Sequence, residues 1–517
     1  MNYINNNLII LLKKNYSLLI TFLFFLISFF LIGKHEMWRD EIQAWLIARD
    51  SSDLFSLFEN LKYEGHPGLW HFILFCLTRI THNSYYMQIL HVLISSCSIF
   101  ILWRWSPFNK IQKLLLTFSY FFFYEYSIIS RSYGLSTLLI FIFCTLFENR
   151  KKNSLKIAWI LFLLSHTNIF GFLMALSLFI TTLIEDFINF FIKNSSFKGL
   201  FTKNQYISII ISISGFITAL IQLSPPIDSP IVNTKINFPL HFYDLVFVFR
   251  NTLKAYMPIP NFKYDFWGTS LLNISFVLEI IFILLFIISF LIFINYLKRR
   301  PSSIFLYLFS SIILSTFFLL KLNDFYGSQR HFGFFFLSLL SSLWIYRFCI
   351  LISKKRKNIF YDKSLNFTIN ILFFIQAFAG IVAATYDYIF PFSSAKETAN
   401  FLKNLDVSNS KIIAFKDAPG SAILGYLQNK KSFYYLEKKG EGSFIRWDNF
   451  RERKIDNETF EDTVIKLSSN GNKLILISNS PLNEMAFFDP KFYNIFISKD
   501  SIVNDEKYFI YLYKKNF

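Results

Sequence analysis

Two neighbouring carboxylates, Asp40 and Glu41, stand about seven residues beyond the first long apolar run, and Glu64 and His66 follow in "YEGHPG". Residues 35–72 hold ten acidic or basic side chains, three histidines and several tryptophans directly behind that run. A carboxylate fixed at a membrane edge can take the proton of an incoming hydroxyl or amine if cations nearby neutralise the charge that develops on a leaving group. Such cations lie at the ends of later apolar runs: Arg131, with Tyr133, in "SRSYG", and Arg330, with His331, in "GSQRHFG". Arginine suits a phosphate oxyanion because its planar fork stays charged and donates two parallel hydrogen bonds. His166 in "SHTNIFG" ends another run. Each residue also has a plainer reading. Asp40 and Glu41 would cap a helix or pair with Arg39 and Arg49, Arg131 would pair with Glu125, and His166 would be a packing residue. Glu64 would either orient His66 or bind a sugar. His91 and Glu279 lie inside apolar runs with no partner visible in the sequence, and they are left outside the site.

The elements that must position these groups are membrane helices. The 517 residues are 54% hydrophobic and 17% charged, with 68 Phe, which describes an integral membrane protein. The net charge of +18 sits in short clusters between apolar runs, so it marks topology and no nucleic-acid surface. Cys76, Cys97, Cys144 and Cys349 all lie in or beside apolar runs, which indicates neither a disulfide framework nor a thiolate zinc site. The run 15–33 follows Lys13 and Lys14, placing the N-terminus in the cytoplasm, and no small-residue cleavage pattern follows it. Further runs lie near 85–103, 112–129, 134–148, 156–170, 171–192, 206–223, 271–297, 302–321, 331–352 and 366–389. The short run 68–80 decides the topology. If it crosses, five basic clusters fall outside; if it lies along the interface, all five fall inside. It covers only ~20 Å at helical rise against a ~30 Å core, so it reads as interfacial or re-entrant.

Eleven crossings then put the loop 34–84 and everything beyond 390 outside the cytoplasm. Within that loop, 41–61 has the apolar spacing of a surface-lying amphipathic helix, broken near "DSSD". The Pro- and aromatic-rich stretch 224–270 has the composition of a lid. The fold class is an all-α polytopic membrane domain over 1–389 followed by a small soluble α/β domain over 390–517. In the latter, helices at 395–405 and 458–471 alternate with strands at 411–417, 473–480, 492–498 and 507–515. "DAPGSAILGYL" lacks a nucleotide-binding glycine spacing, so this domain reads as a packing or acceptor-docking module.

"MWRDEIQAWLIARD" followed by "YEGHPGLW" resembles the first extracytoplasmic loop of the C-type, polyprenyl-phosphate-dependent glycosyltransferases, which include protein mannosyltransferases and lipid A aminoarabinose transferases. The turn reads "HPG" where many relatives carry two prolines. The resemblance covers roughly 1–150 and hardly touches the tail. It implies a multi-pass enzyme of the inner (plasma) membrane that moves a sugar from a polyprenyl-phosphate donor to an extracytoplasmic acceptor with inversion. Asp40 would be the catalytic base, assisted by Glu41, and His66 would meet the donor phosphate. No cofactor is certain. Some members need a divalent metal, for which Asp40, Glu41 and Glu64 would be ligands. Two other expectations stay open: a transporter or flippase of lipid-linked sugars, and an envelope polysaccharide polymerase.

Overall fold

The computed structural model describes residues 2–193, 201–230, 241–273, 276–320, 326–353, 359–405, 410–428, 432–452, 455–468, 473–482 and 491–514. Outside them lie the basic cluster 354–358, most of the basic stretch 192–204, residues 231–240 of the long loop, 323–325 ahead of Arg330, and the expected end of a tail helix near Gly471.

The chain begins with α1 (Asn2–Ile32), and the first loop folds as three short helices, α2 (Arg39–Asp50), α3 (Leu54–Leu61) and α4 (Leu69–Thr78). The bundle continues with α5 (Tyr85–Trp105), α6 (Lys110–Thr117), α7 (Tyr133–Leu146), α8 (Ser154–Ser165), α9 (Ile169–Lys193) and α10 (Lys203–Leu223). It closes with α11 (Phe242–Tyr256), α12 (Phe276–Leu297), α13 (Pro301–Leu319), α14 (Gln329–Ser353) and α15 (Ile359–Ile389). Among the described residues, seven helices are long and apolar enough to cross a membrane: α1, α5, α9, α10, α12, α13 and α15. On α1, Leu18, Phe22, Leu26 and Phe30 form an outward stripe at i, i+4 spacing, each at least 45% exposed, which only an apolar solvent tolerates. By contrast α14 is buried on every side from His331 to Tyr346 and forms the axis of the bundle.

Two apolar runs fold differently from uninterrupted spans. The run 112–129 breaks after α6: Ser119 caps a π-helical turn, Tyr120–Glu125, and the chain then bends into the loop 126–132. The short run 68–80 forms the ten-residue α4, which packs beneath α2. The expected surface-lying helix divides. All residues of α2 from Glu41 to Ala48 are buried, whereas α3 exposes Leu54, Phe55 and Phe58. The physical reason is that the tail covers α2 and leaves α3 bare.

The tail holds a six-stranded sheet in the order β3-β2-β1-β4-β6-β5, with β1 (Ser410–Ala414), β2 (Phe433–Tyr435), β3 (Gly440–Gly442), β4 (Lys473–Ser478), β5 (Phe492–Ile497) and β6 (Phe509–Tyr513). The pairs β1–β2 and β1–β4 are parallel and the others antiparallel. Alternate residues of β1 serve opposite cores. Ile412 and Ala414 meet α16 (Ala395–Asn404) and α17 (Asp417–Leu424), while Ile413 and Phe415 meet α18 (Asn457–Ser468).

This unit sits on the first loop. The α17 helix packs on α2 so closely that a Cβ at Gly425 would run into the Ile42 side chain, which only glycine allows. The Met37 N–H donates to Tyr426 Oη at 2.6 Å, and the Arg39 N–H donates to Glu506 Oε1 at 2.9 Å. Gln43 exchanges two hydrogen bonds with the backbone of Ile445, at 2.9 and 2.6 Å.

Beyond the end of α7, roughly 20 Å from its first residue by helical rise, a buried ionic network closes the bundle. Arg300 bonds Glu148 at 2.5 Å and Glu185 at 3.3 Å, and Arg150 bonds Asp186 at 2.8 Å.

Candidate active site

Asp40 occupies the first turn of α2, where an acidic residue favours the N-terminal dipole. Arg330, at the start of α14, donates from Nη2 to Asp40 Oδ2 at 3.0 Å. Arg131, in the bend before α7, places Nη1 3.8 Å from the same oxygen and donates to the Asp40 carbonyl. The Arg330 guanidinium lies over the rings of Trp38 and Trp267, 5.1 and 5.5 Å from their centroids, while the two rings meet each other edge to face, and Tyr126 Oη donates to the Arg330 carbonyl at 2.6 Å. Its Nη1 is buried and has no hydrogen-bond partner among the described residues. Burial alone would raise the Asp40 carboxyl, but Arg131, Arg330 and Arg39 outweigh it and hold the group below the ordinary aspartate range. About 30% of the Asp40 side chain stays open to the adjoining cavity.

Glu41, one residue on, is turned 100° around the helix and is wholly buried. Its Oε2 accepts from the Trp38 N–H at 3.2 Å and lies 3.1 Å from His35 Nε2, and its Oε1 accepts from the Ser130 N–H at 2.6 Å. The other nitrogen of His35 meets Asp387 at 2.7 Å, near the end of α15. Burial disfavours a charge on His35, yet the two flanking carboxylates push its pKa up to about 10. This Glu41–His35–Asp387 chain fastens the start of α2 to α15 and to the 127–131 bend. Glu41 is therefore a positioning residue with no free oxygen.

A partly open cavity of about 210 Å³ adjoins Asp40 and is shared with Glu64, His66 and Arg131. A second, far smaller pocket of about 10 Å³ lies behind the same four residues and reaches Trp70 and His71. Gly65 takes φ +63° and makes the turn that brings Glu64 and His66 to one wall. Glu64 Oε1 accepts from Gln43 Nε2 at 2.7 Å, and burial pushes its carboxyl up to about 7. Burial, with Arg131 beside it, drives His66 down to about 3, so its ring is neutral and offers a hydrogen bond in place of a charge. Its buried Nδ1 has no partner.

His331 accepts the Ser328 N–H at Nδ1, 2.8 Å, and its Nε2 lies 2.9 Å from Tyr133 Oη and 3.4 Å from Arg330 Nε. Both lie behind the arginines, as supports. His166 is directed elsewhere: its Nδ1 meets the Phe162 carbonyl at 2.7 Å and its Nε2 meets Thr218 at 3.0 Å. Glu125 does not pair with Arg131. It accepts from Tyr120 Oη and Trp267 Nε1, at 2.9 and 3.1 Å, and so holds the indole over Arg330. His91 meets the carbonyls of Ser127 and Arg131 at 3.0 and 2.8 Å and braces the bend from below, and Glu279 pairs with Arg250 at 2.7 Å. Among the described residues no three His, Cys, Asp or Glu side chains converge to hold a metal ion, and Glu41, one of the three expected ligands, is fully engaged.

Compared with known protein families and with curated proteins, the chain matches none.

Sequence reasoning missed His71, Trp267 and Trp447. His71 carries a buried Nδ1 without a partner on the smaller pocket, and a polar residue within the apolar 68–80 run was the available signal. Trp267 and Trp447 reach the site only through tertiary folding.

Proposed function

We propose that this chain is a membrane glycosyltransferase of the C type, which moves a sugar from a polyprenyl-phosphate donor to an acceptor outside the cytoplasm. The observation that carries the reading is a partly open carboxylate, Asp40, shared by two arginines on the wall of a cavity. Asp40 itself neutralises the two arginines. A donor phosphodiester takes that place, engaging Arg131 and the free Nη1 of Arg330, and Asp40 regains basicity as its cations turn to the phosphate. The acceptor hydroxyl then gives its proton to Asp40 while its oxygen bonds the anomeric carbon. The bond from that carbon to the phosphate oxygen breaks, and polyprenyl phosphate leaves with the electron pair and one more negative charge. The arginines stabilise that charge, and His66 donates a hydrogen bond to it. Attack opposite to departure inverts the anomeric centre. In the topology that fits, eleven crossings place the N-terminus in the cytoplasm and the tail outside the plasma membrane, with α4 lying along the interface.

The test is transfer from a labelled polyprenyl-phosphate sugar pool in membranes. Asp40→Asn is expected to lower transfer by roughly 10²–10⁴-fold with the thermal transition retained. Undiminished transfer by that folded variant overturns the assignment.

A further inference from the structure

The cavity beside Asp40 has a second wall, to which the chemistry above gives no task. Ser421, Ile445 and Trp447 of the tail unit form it, facing Glu64 and Arg131. Trp447 is half-buried: it packs against the tail core beneath it, and the Arg451 guanidinium lies 5.9 Å from its ring. The strap that carries it is fastened at both ends. On one side Gln43 holds both backbone groups of Ile445, and on the other the Asn449 N–H donates to the Asp228 carbonyl at 2.8 Å. An indole face is thereby fixed opposite a row of polar side chains across a void. That pairing suits a sugar ring, whose C–H face lies on the indole while its hydroxyls meet the carboxylate and guanidinium opposite. It suits an extended peptide poorly, because strand addition needs free backbone groups and those of Ile445 are already occupied.

We infer that this cavity is the acceptor subsite, that the acceptor is a saccharide, and that Trp447 is the face on which its ring stacks. The inference rests on the glycosyltransferase reading for the word acceptor, but its binding test does not. Saturation-transfer NMR on full-length Asp40→Asn protein in detergent, without donor, would use a panel of neutral di- and trisaccharides, with a Ser/Thr-rich peptide as competitor. At least one saccharide is expected to bind, about 3- to 10-fold more weakly to the Trp447→Ala form and nearly unchanged in the Trp447→Phe form. Absence of saccharide binding, equal binding by the alanine variant, or displacement by the peptide overturns it. If saccharides bind as expected while Asp40→Asn still transfers sugar, the subsite stands and the catalytic reading falls.

Discussion

A helix turn of 100° separates two fates for adjacent carboxylates. Asp40 keeps an open side and two arginines; Glu41 is sealed against His35, Trp38 and Ser130. Replacing Glu41 by Gln leaves His35 charged beside a neutral amide, and removing one partner of a buried pair costs about 3 kcal/mol. Glu41→Gln is therefore expected to lower the thermal midpoint in detergent clearly; an unchanged midpoint would show that the buried chain does not brace α2. The sequence displayed Asp40, Glu64, His66, Arg131 and Arg330 as polar groups at the ends of greasy runs, and all five meet at one place. Residue type and spacing alone could not rank Asp40 above Glu41, because neighbours in sequence differ only in rotation; the resemblance of the loop made that choice. It overvalued His166, whose ring bonds the carbonyl of its own preceding turn, a local contact that leaves no trace in spacing.

Among elements, α2 decides whether the site exists. It carries Asp40, rests on α4 below, and is roofed by α17, with Gly425 setting the approach. A valine there must push α17 away from Ile42. Gly425→Val is expected to speed amide exchange across 39–50 several-fold and to reduce sugar transfer while the bundle's thermal transition persists; unaltered exchange would refute the roof's role. The individual tail strands and helices were legible from alternating and helical apolar periods. Their seat on α2 was not, since the contacts join residues 389 to 467 positions apart through a tyrosine hydroxyl, a glutamine amide and a backbone N–H. The break after α6 was equally hidden, because "TFSYFFFYEYS" stays apolar through the point where its hydrogen bonding changes.

At the scale of the molecule, buried charge makes stability depend on pH. Burial raises Glu64, Glu506 and Asp417 to about 7, so the folded chain binds more protons than the unfolded one between about 4.5 and 7, and each group loses stability as pH rises through that window. His35, raised to about 10, contributes fully below about 6.5 and loses that contribution as pH climbs toward 10. His66, lowered to about 3, works the other way and weakens the fold as pH falls below about 6.5. Stability in detergent should therefore fall as pH rises from about 4.5 to 7, where three carboxyls lose more than His66 gains, and keep falling toward pH 9 as His35 loses its contribution; a midpoint rising over pH 7–9 would contradict this assignment of protons. The ionic network at the far end also bears on how the protein is made. Glu148 and Glu185 are synthesised 152 and 115 residues before Arg300. A nascent chain that has delivered its first helices to the bilayer thus carries Glu148 ahead of the guanidinium that pairs with it, while Glu185 has Arg150 only at 3.9 Å, and the network closes when α13 arrives, which sets an order of assembly written into the sequence itself.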